Sequence, residues 1–178
     1  MKLELKSIKY SHFASRETYC FEGVLYLEGK PFAHVFNEGQ GGADSVHYHE
    51  NSPFIKKLTE GGIAWREKFQ EIEEYFSSLP KTDVGKYDWA VEGFDQTLES
   101  WCHNQVCDYL TKKDLKRLLK RCIVAQVLED NESRVVQWNK PKNKPDWLLK
   151  EHVKNKYPSA TILNDISELK ALEIYRST

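Results

Sequence analysis

A glycine-rich stretch following an aromatic, β-branched run is the first place in this chain where residue types suggest chemistry. His34-Val-Phe-Asn37-Glu38-Gly39-Gln40-Gly41-Gly42-Ala43-Asp44 places three glycines within four positions, between acidic and amide side chains. Successive glycines let backbone N–H groups turn inward and make an anion-binding concavity. Asn37, Gly39, Gly41, Gly42 and Asp44 are therefore the candidate ligand-binding residues. The stretch has no GK[ST] ending and no GxGxxG spacing, so it is neither a P-loop nor a dinucleotide fingerprint. Glu38 and Asp44 would oppose an incoming phosphate, and the competing reading is an irregular sheet connection that needs glycine for its backbone angles.

Other groupings are weaker. His47 and His49 would share a face in a strand, with His34, Glu38 and Asp44 nearby in sequence, but no spacing matches a metal motif. Neither a metal nor a cofactor is expected, and His47 and His49 suit a surface loop equally well. Cys102-His103 invites a nucleophile–base reading. Neighbours on a helix diverge by about 100°, however, so the two side chains do not face each other. Glu67, Glu71, Glu73 and Glu74 read as the wet side of a helix. No catalytic residue is assigned.

Lys112, Lys113, Lys116, Arg117 and Lys120 crowd one short segment, followed by Lys140, Lys142 and Lys144 between Trp138 and Trp147. Cations with interleaved aromatics can track a nucleic-acid backbone. The competing reading is the solvated side of a helix whose leucines face inward. Residues 111–156 hold 13 Lys/Arg against 6 Asp/Glu, while the whole chain of 178 residues has a net charge of −1. The pI near 6.6 argues against a protein dedicated to nucleic acid.

The elements that position these residues follow from periodicity. Leu3, Leu5 and Ile8 alternate with charged residues as in a half-buried strand. Residues 18–28 and 31–36 flank Glu28-Gly29-Lys30-Pro31 and predict a β-hairpin. Ser52-Pro53 has the form of a helix start, interrupted at Gly61-Gly62. Trp65, Phe69, Ile72, Phe76 and Leu79 make one apolar helical stripe that Pro80 stops. Residues 81–94 form a loop with a short strand around residues 89–91. Asp95 is positioned to cap a helix over 96–110 with Leu98, Trp101, Cys102 and Tyr109 inward. The spacing Thr111 to Asp114 predicts a separate helix through Lys120. Residues 122–128 and 134–138 make a second hairpin, Asp146–Lys156 a helix, 160–163 a buried strand and Ile166 to Tyr175 a last helix, capped from Asp165.

Segregated strands and helices predict an α+β fold of antiparallel hairpins packed against amphipathic helices. A single domain over residues 1–178 is expected, with a subdomain break near 80–93 as the alternative. Four cysteines, no apolar leader and no run of about 18 apolar residues imply free thiols, a cytoplasmic setting and no membrane span.

Cys20–Glu28, Gly29-Lys30 and Phe32–Gly42 (CFEGVLYLEGKPFAHVFNEGQGG) resemble an uncharacterised family of small bacterial and phage proteins. In that family an aromatic strand, a Gly-Lys turn and a strand ending in Asn-x-Gly-x-Gly-Gly recur near the N-terminus. Leu163-Asn164-Asp165 before a helix is a weaker echo. The resemblance carries no activity. It implies only a setting, a small accessory protein of a phage or mobile element. Taken with the missing catalytic constellation, the loop-rich polar surface and the split charge, it leads to the expectation of a non-enzymatic protein that binds a host macromolecule, a protein or complex, and inhibits a host defence or regulatory system. The alternatives are an enzyme acting on an anionic or nucleotide substrate at the glycine stretch, and nucleic-acid binding through residues 112–144. The oligomeric state is open.

Overall fold

The computed structural model describes residues 1–55, 63–81, 94–129, 132–140, 142–143 and 145–177. The fold is α+β, with two antiparallel sheets and helices, as the segregated sequence pattern predicts. Its residues gather into two compact units, Met1–Cys107 and Asp108–Thr178. The expected interruption at Gly61-Gly62, the strand around 89–91, most of the alternative break at 80–93, and Lys144 lie outside the described residues.

The first unit is built on a meander of β1 (Leu3–Tyr10), β2 (Phe21–Leu27), β3 (Lys30–Asn37) and β4 (Ser45–Tyr48), hydrogen-bonded in that order. Glu28 and Gly29 connect β2 to β3 with φ of 48° and 77°. Positive φ at both central residues matches the right-handed twist of the strands, which is why this hairpin was legible from its glycine. The β2–β3 register shifts between Leu25 and Tyr26, where Pro31 lacks a ladder N–H. That shift lets Phe32 and Ala33, adjacent in sequence, both be buried. β4 corrects the surface-loop reading of His47, which pairs opposite His34 on β3.

Helix α1 (Ile63–Ser77) places Ile72 and Phe76 in the core, as its stripe predicts. Trp65 stacks between Phe32 and Phe69 at centroid distances of 5.2 and 5.1 Å. Its indole N–H donates to the Phe32 carbonyl at 3.0 Å, tying α1 to β3. No helix starts at Ser52-Pro53: the Ser52 hydroxyl instead accepts from the Phe54 N–H within a turn.

Helix α2 (Leu98–Arg121) runs unbroken through the residues expected to hold a boundary between two helices. The Thr111–Asp114 spacing makes no cap there. A mid-helix Thr costs only about 0.5 kcal/mol, and no Gly or Pro separates Leu98 from Arg121. The helix begins after Thr97 rather than at Asp95. Thr97 Oγ1 accepts from the Ser100 N–H and Ser100 Oγ from the Thr97 N–H, both at 3.0 Å, a reciprocal cap. Leu98, Cys102 and Val106 are buried, whereas Tyr109 faces solvent, contrary to its predicted inward position.

In the second unit β5 (Cys122–Glu129) lies between β6 (Glu132–Asn139) and β7 (Thr161–Ile162). β5 is apolar on both faces because each is covered. Cys122 and Val124 pack with Leu115, Leu163, Ala171 and Leu172, from α2 and the C-terminal elements. Ile123 and Ala125 pack with Val153 of α3 (Asp146–Lys156) and with Ile162. α4 (Glu168–Arg176) is capped by Ser167, whose hydroxyl accepts from the Lys170 N–H, and not by Asp165, which pairs with Lys150. Asn164 joins three segments. Its Oδ1 accepts from the Val124 N–H at 2.8 Å, and its Nδ2 donates to the Leu119 and Cys122 carbonyls at 3.0 Å each.

Candidate functional site: the glycine turn and the loop it braces

Asn37, at the end of β3, organises the turn that follows it. Its Oδ1 accepts from the Gly39 N–H at 2.8 Å and from the Thr18 hydroxyl at 2.7 Å. Its Nδ2 donates to the Gly42 carbonyl at 3.1 Å and to Asp44 Oδ1 at 2.9 Å. One buried amide thus closes residues 37–44 on themselves and fastens them to Thr18. Gly39, Gly41 and Gly42 all have positive φ, the backbone geometry for which glycine was expected.

One N–H of the turn is already engaged within it. The Gly39 N–H is occupied by Asn37, and the Gly39 carbonyl accepts from the Arg16 and Glu17 N–H groups at 2.8 and 3.0 Å. A Cβ on Gly39 would stand 2.4 Å from the Ala14 carbonyl oxygen. The turn is therefore a socket for the loop joining β1 to β2. Within that loop Ser11 donates its N–H to the Cys20 carbonyl at 2.9 Å, closing the base. The Ser15 hydroxyl donates to the Ser11 carbonyl at 2.7 Å and accepts from the Cys20 N–H at 2.9 Å. Phe13 stands at the tip of this hydrogen-bonded loop, 96% exposed.

Beside the turn is an open polar cleft of about 300 Å³, whose lining includes Thr18, Tyr19, Asp44, Glu99, Ser100 and His103. Asn37, Gly42 and Asp44 of the predicted set line it; Gly39 and Gly41 do not. Sequence reasoning did not find Tyr19, Glu99 and His103 here, because only folding brings α2 to the glycine turn. His103 stacks on Tyr19 at 5.3 Å. The Asp44 N–H donates to a Glu99 carboxylate oxygen at 3.2 Å. Asp44 Oδ2 is buried without a hydrogen-bond partner.

Burial raises the Asp44 carboxyl above its ordinary value, the Asn37 amide opposes that shift, and the Glu99 charge adds to it. With the folded-state value above the unfolded one, the ionised group costs stability at neutral pH. That cost is relieved as pH falls through the folded-state value. Asp44→Asn keeps an acceptor for Asn37 and removes the charge. Urea midpoints are expected to show it more stable than wild type at pH 7, with the difference closing toward about pH 4.

Burial pushes the Cys102 thiol up to about 12, so it stays protonated and is no nucleophile. No disulfide links Cys20, Cys102, Cys107 or Cys122. His34 stacks on His49 at 4.4 Å, and near-parallel rings direct their nitrogens side by side rather than toward one point. Among the described residues no three His, Cys, Asp or Glu side chains are grouped to hold a metal ion. Nor, among those residues, is any helix long and apolar enough to cross a membrane.

In the second unit the predicted basic residues share one surface. Lys112, Lys113, Lys116, Arg117 and Lys120 line a shallow groove of about 560 Å³ with Tyr109. Glu168 pairs with Lys112 at 3.5 Å and Lys116 at 3.2 Å, Arg117 pairs with Asp114 at 3.3 Å, and Lys113 lies 5.7 Å from the Tyr109 ring centre.

No family model, no curated protein and no solved structure matches this chain.

Proposed function

We propose that this is a non-enzymatic binding protein whose β1–β2 loop presents Phe13 to a partner protein. The observation that carries this reading is the combination of almost complete exposure with a braced backbone. An isolated exposed apolar side chain is ordinary on a protein surface. Here, however, a glycine turn and an Asn side chain hold the segment that displays it. An aromatic group fixed before binding loses little conformational freedom on docking, which is the property of interface anchors. The Cys102 thiol, unsuited to nucleophilic attack, and carboxylates lining the cleft beside the turn favour binding over turnover of an anionic substrate. The resemblance of Phe32–Gly42 and its flanks to phage and bacterial accessory proteins supplies the setting we favour. The partner is then a host protein or complex of a defence or regulatory system, met in the cytoplasm.

The test is a surface variant. Phe13→Ser is expected to leave the thermal midpoint within about 2 °C of wild type, because the side chain is exposed. Affinity capture from host lysate should then lose any specific partner, with binding of the purified partner weakened at least about tenfold. Equal capture by both proteins would remove Phe13 from the interface. Turnover of a nucleotide or other small anion by the purified chain would overturn the non-enzymatic reading.

A further inference from the structure

We propose that the exposed stripe of α2 in the second unit is a track for the phosphate backbone of single-stranded nucleic acid. Tyr109, Lys112, Lys113, Lys116, Arg117 and Lys120 fall at helical steps of three and four, so one face carries all six. They line one groove along about 16 Å of helix. The leucines of this segment turn the other way: Leu115 is buried, and Leu118 and Leu119 pack against the core that contains it. The stripe is thus cationic and aromatic rather than amphipathic in the manner of a membrane-surface helix.

Charge complementarity identifies the occupant. Residues 108–178 carry 15 Lys/Arg against 10 Asp/Glu, and residues 1–107 carry 11 against 17. The near-neutral whole conceals a basic unit joined to an acidic one. Asp114 and Glu168 are the acidic partners on the stripe, and their pairs with Arg117, Lys112 and Lys116 are solvent-exposed. Such pairs contribute little, and phosphates replace them readily. The Lys116 and Lys112 ammoniums hold the Glu168 carboxyl below its ordinary value, as expected where positive potential prevails. Cβ atoms three or four residues apart lie about 5–6 Å from each other, so the cations form a row that an extended strand can follow. Tyr109, exposed at one end of the row, offers a ring face on which an unpaired base can stack. A duplex keeps its bases stacked internally and would leave that ring unused.

The experiment is fluorescence anisotropy of the full chain with a labelled oligothymidylate of about 20 nucleotides, long enough to span the row. Neutralising about four phosphates predicts a slope of log affinity on log salt near −3, or roughly fiftyfold weaker binding between about 50 and about 200 mM salt. The triple variant Lys116→Glu, Arg117→Glu, Lys120→Glu should bind at least about tenfold more weakly. Single Lys120→Glu should show a smaller loss in the same direction if the triple variant fails to fold. Tyr109→Ala should weaken binding about fivefold or more and leave the salt slope unchanged. Phe13→Ser should bind like wild type, which separates this surface from the protein-binding loop. Absence of binding at low salt, salt-independent binding, or equal binding by the charge-reversed variants would overturn the proposal. So would tighter binding to a duplex of the same length, to an acidic peptide, or to phosphatidylserine vesicles.

Discussion

Gly39→Ala is expected to destabilise the first unit by about 4 kcal/mol, far more than a glycine substitution at an ordinary turn. Two costs combine. The backbone holds φ at 79°, where an L side chain loses roughly 1–3 kcal/mol. The new Cβ would also stand 2.4 Å from the Ala14 carbonyl oxygen and 2.8 Å from Cys20 Cβ. Neither is the free end of a flexible side chain, so the β1–β2 loop must lift off its socket. Gly29→Ala is the control. It has nearly the same φ, 77°, but nothing within 4 Å of the added Cβ, and should cost only about 1 kcal/mol. Urea unfolding of the two variants gives the comparison. Hydrogen exchange adds a local readout, since the Arg16 and Glu17 amides that bond to the Gly39 carbonyl should lose protection in Gly39→Ala alone. Equal costs at the two glycines would mean that the socket yields without strain.

Asn37→Ala is expected to cost about 3 kcal/mol. The side chain is buried, at 8% exposure, and makes four hydrogen bonds. Alanine leaves the Gly39 N–H, the Thr18 hydroxyl, the Gly42 carbonyl and Asp44 Oδ1 without this partner, and a buried unsatisfied group costs about 1–3 kcal/mol. Water entering from the neighbouring cleft offsets part of the sum. Asn37→Asp separates the donor from the acceptor contribution. It preserves the oxygen that receives Gly39 and Thr18 but turns a second carboxylate toward Asp44. Two facing carboxylates raise each other's proton affinity, so Asn37→Asp should be at least as damaging as alanine at pH 7 and recover as pH falls. Chemical denaturation at two pH values measures this. A flat pH response would show that residues 37 and 44 do not face each other in solution.

Both outcomes bear on function as well as stability. If the glycine turn serves to hold the β1–β2 loop, a variant that keeps the fold but frees the loop should lose partner affinity while retaining Phe13. The turn would then act as a positioning device, with Gly39 required for the close approach of the β1–β2 loop. Asn164 shows the same device in the second unit, where one amide receives or supplies three backbone hydrogen bonds to β5 and the end of α2. Asn37 and Asn164 are thus both architectural.

Local pattern and tertiary placement can be separated residue by residue. Alternation and a glycine able to adopt positive φ specify the β2–β3 hairpin, because both are properties of adjacent residues. The stripe through Phe69, Ile72 and Phe76 specifies α1 for the same reason. Boundaries set by competition between neighbours were not legible: Thr97 outcompeted Asp95 as a cap, Ser167 outcompeted Asp165, and α2 ran through Thr111. In each case the sequence offers several acceptors of similar strength, and packing selects one. The basic row was visible in advance because helical periodicity alone aligns its members. The cleft was not, since Tyr19, Asp44, Glu99 and His103 come from three separate segments that approach only when the sheet and α2 close on a shared core. Composition and short-range pattern therefore determined the α+β class, the hairpins and the charged face. Tertiary structure alone decided that the Gly39 carbonyl receives the β1–β2 loop and that Asn37 meets Thr18 and Asp44 meets Glu99, because long-range hydrogen bonds leave no trace in local spacing.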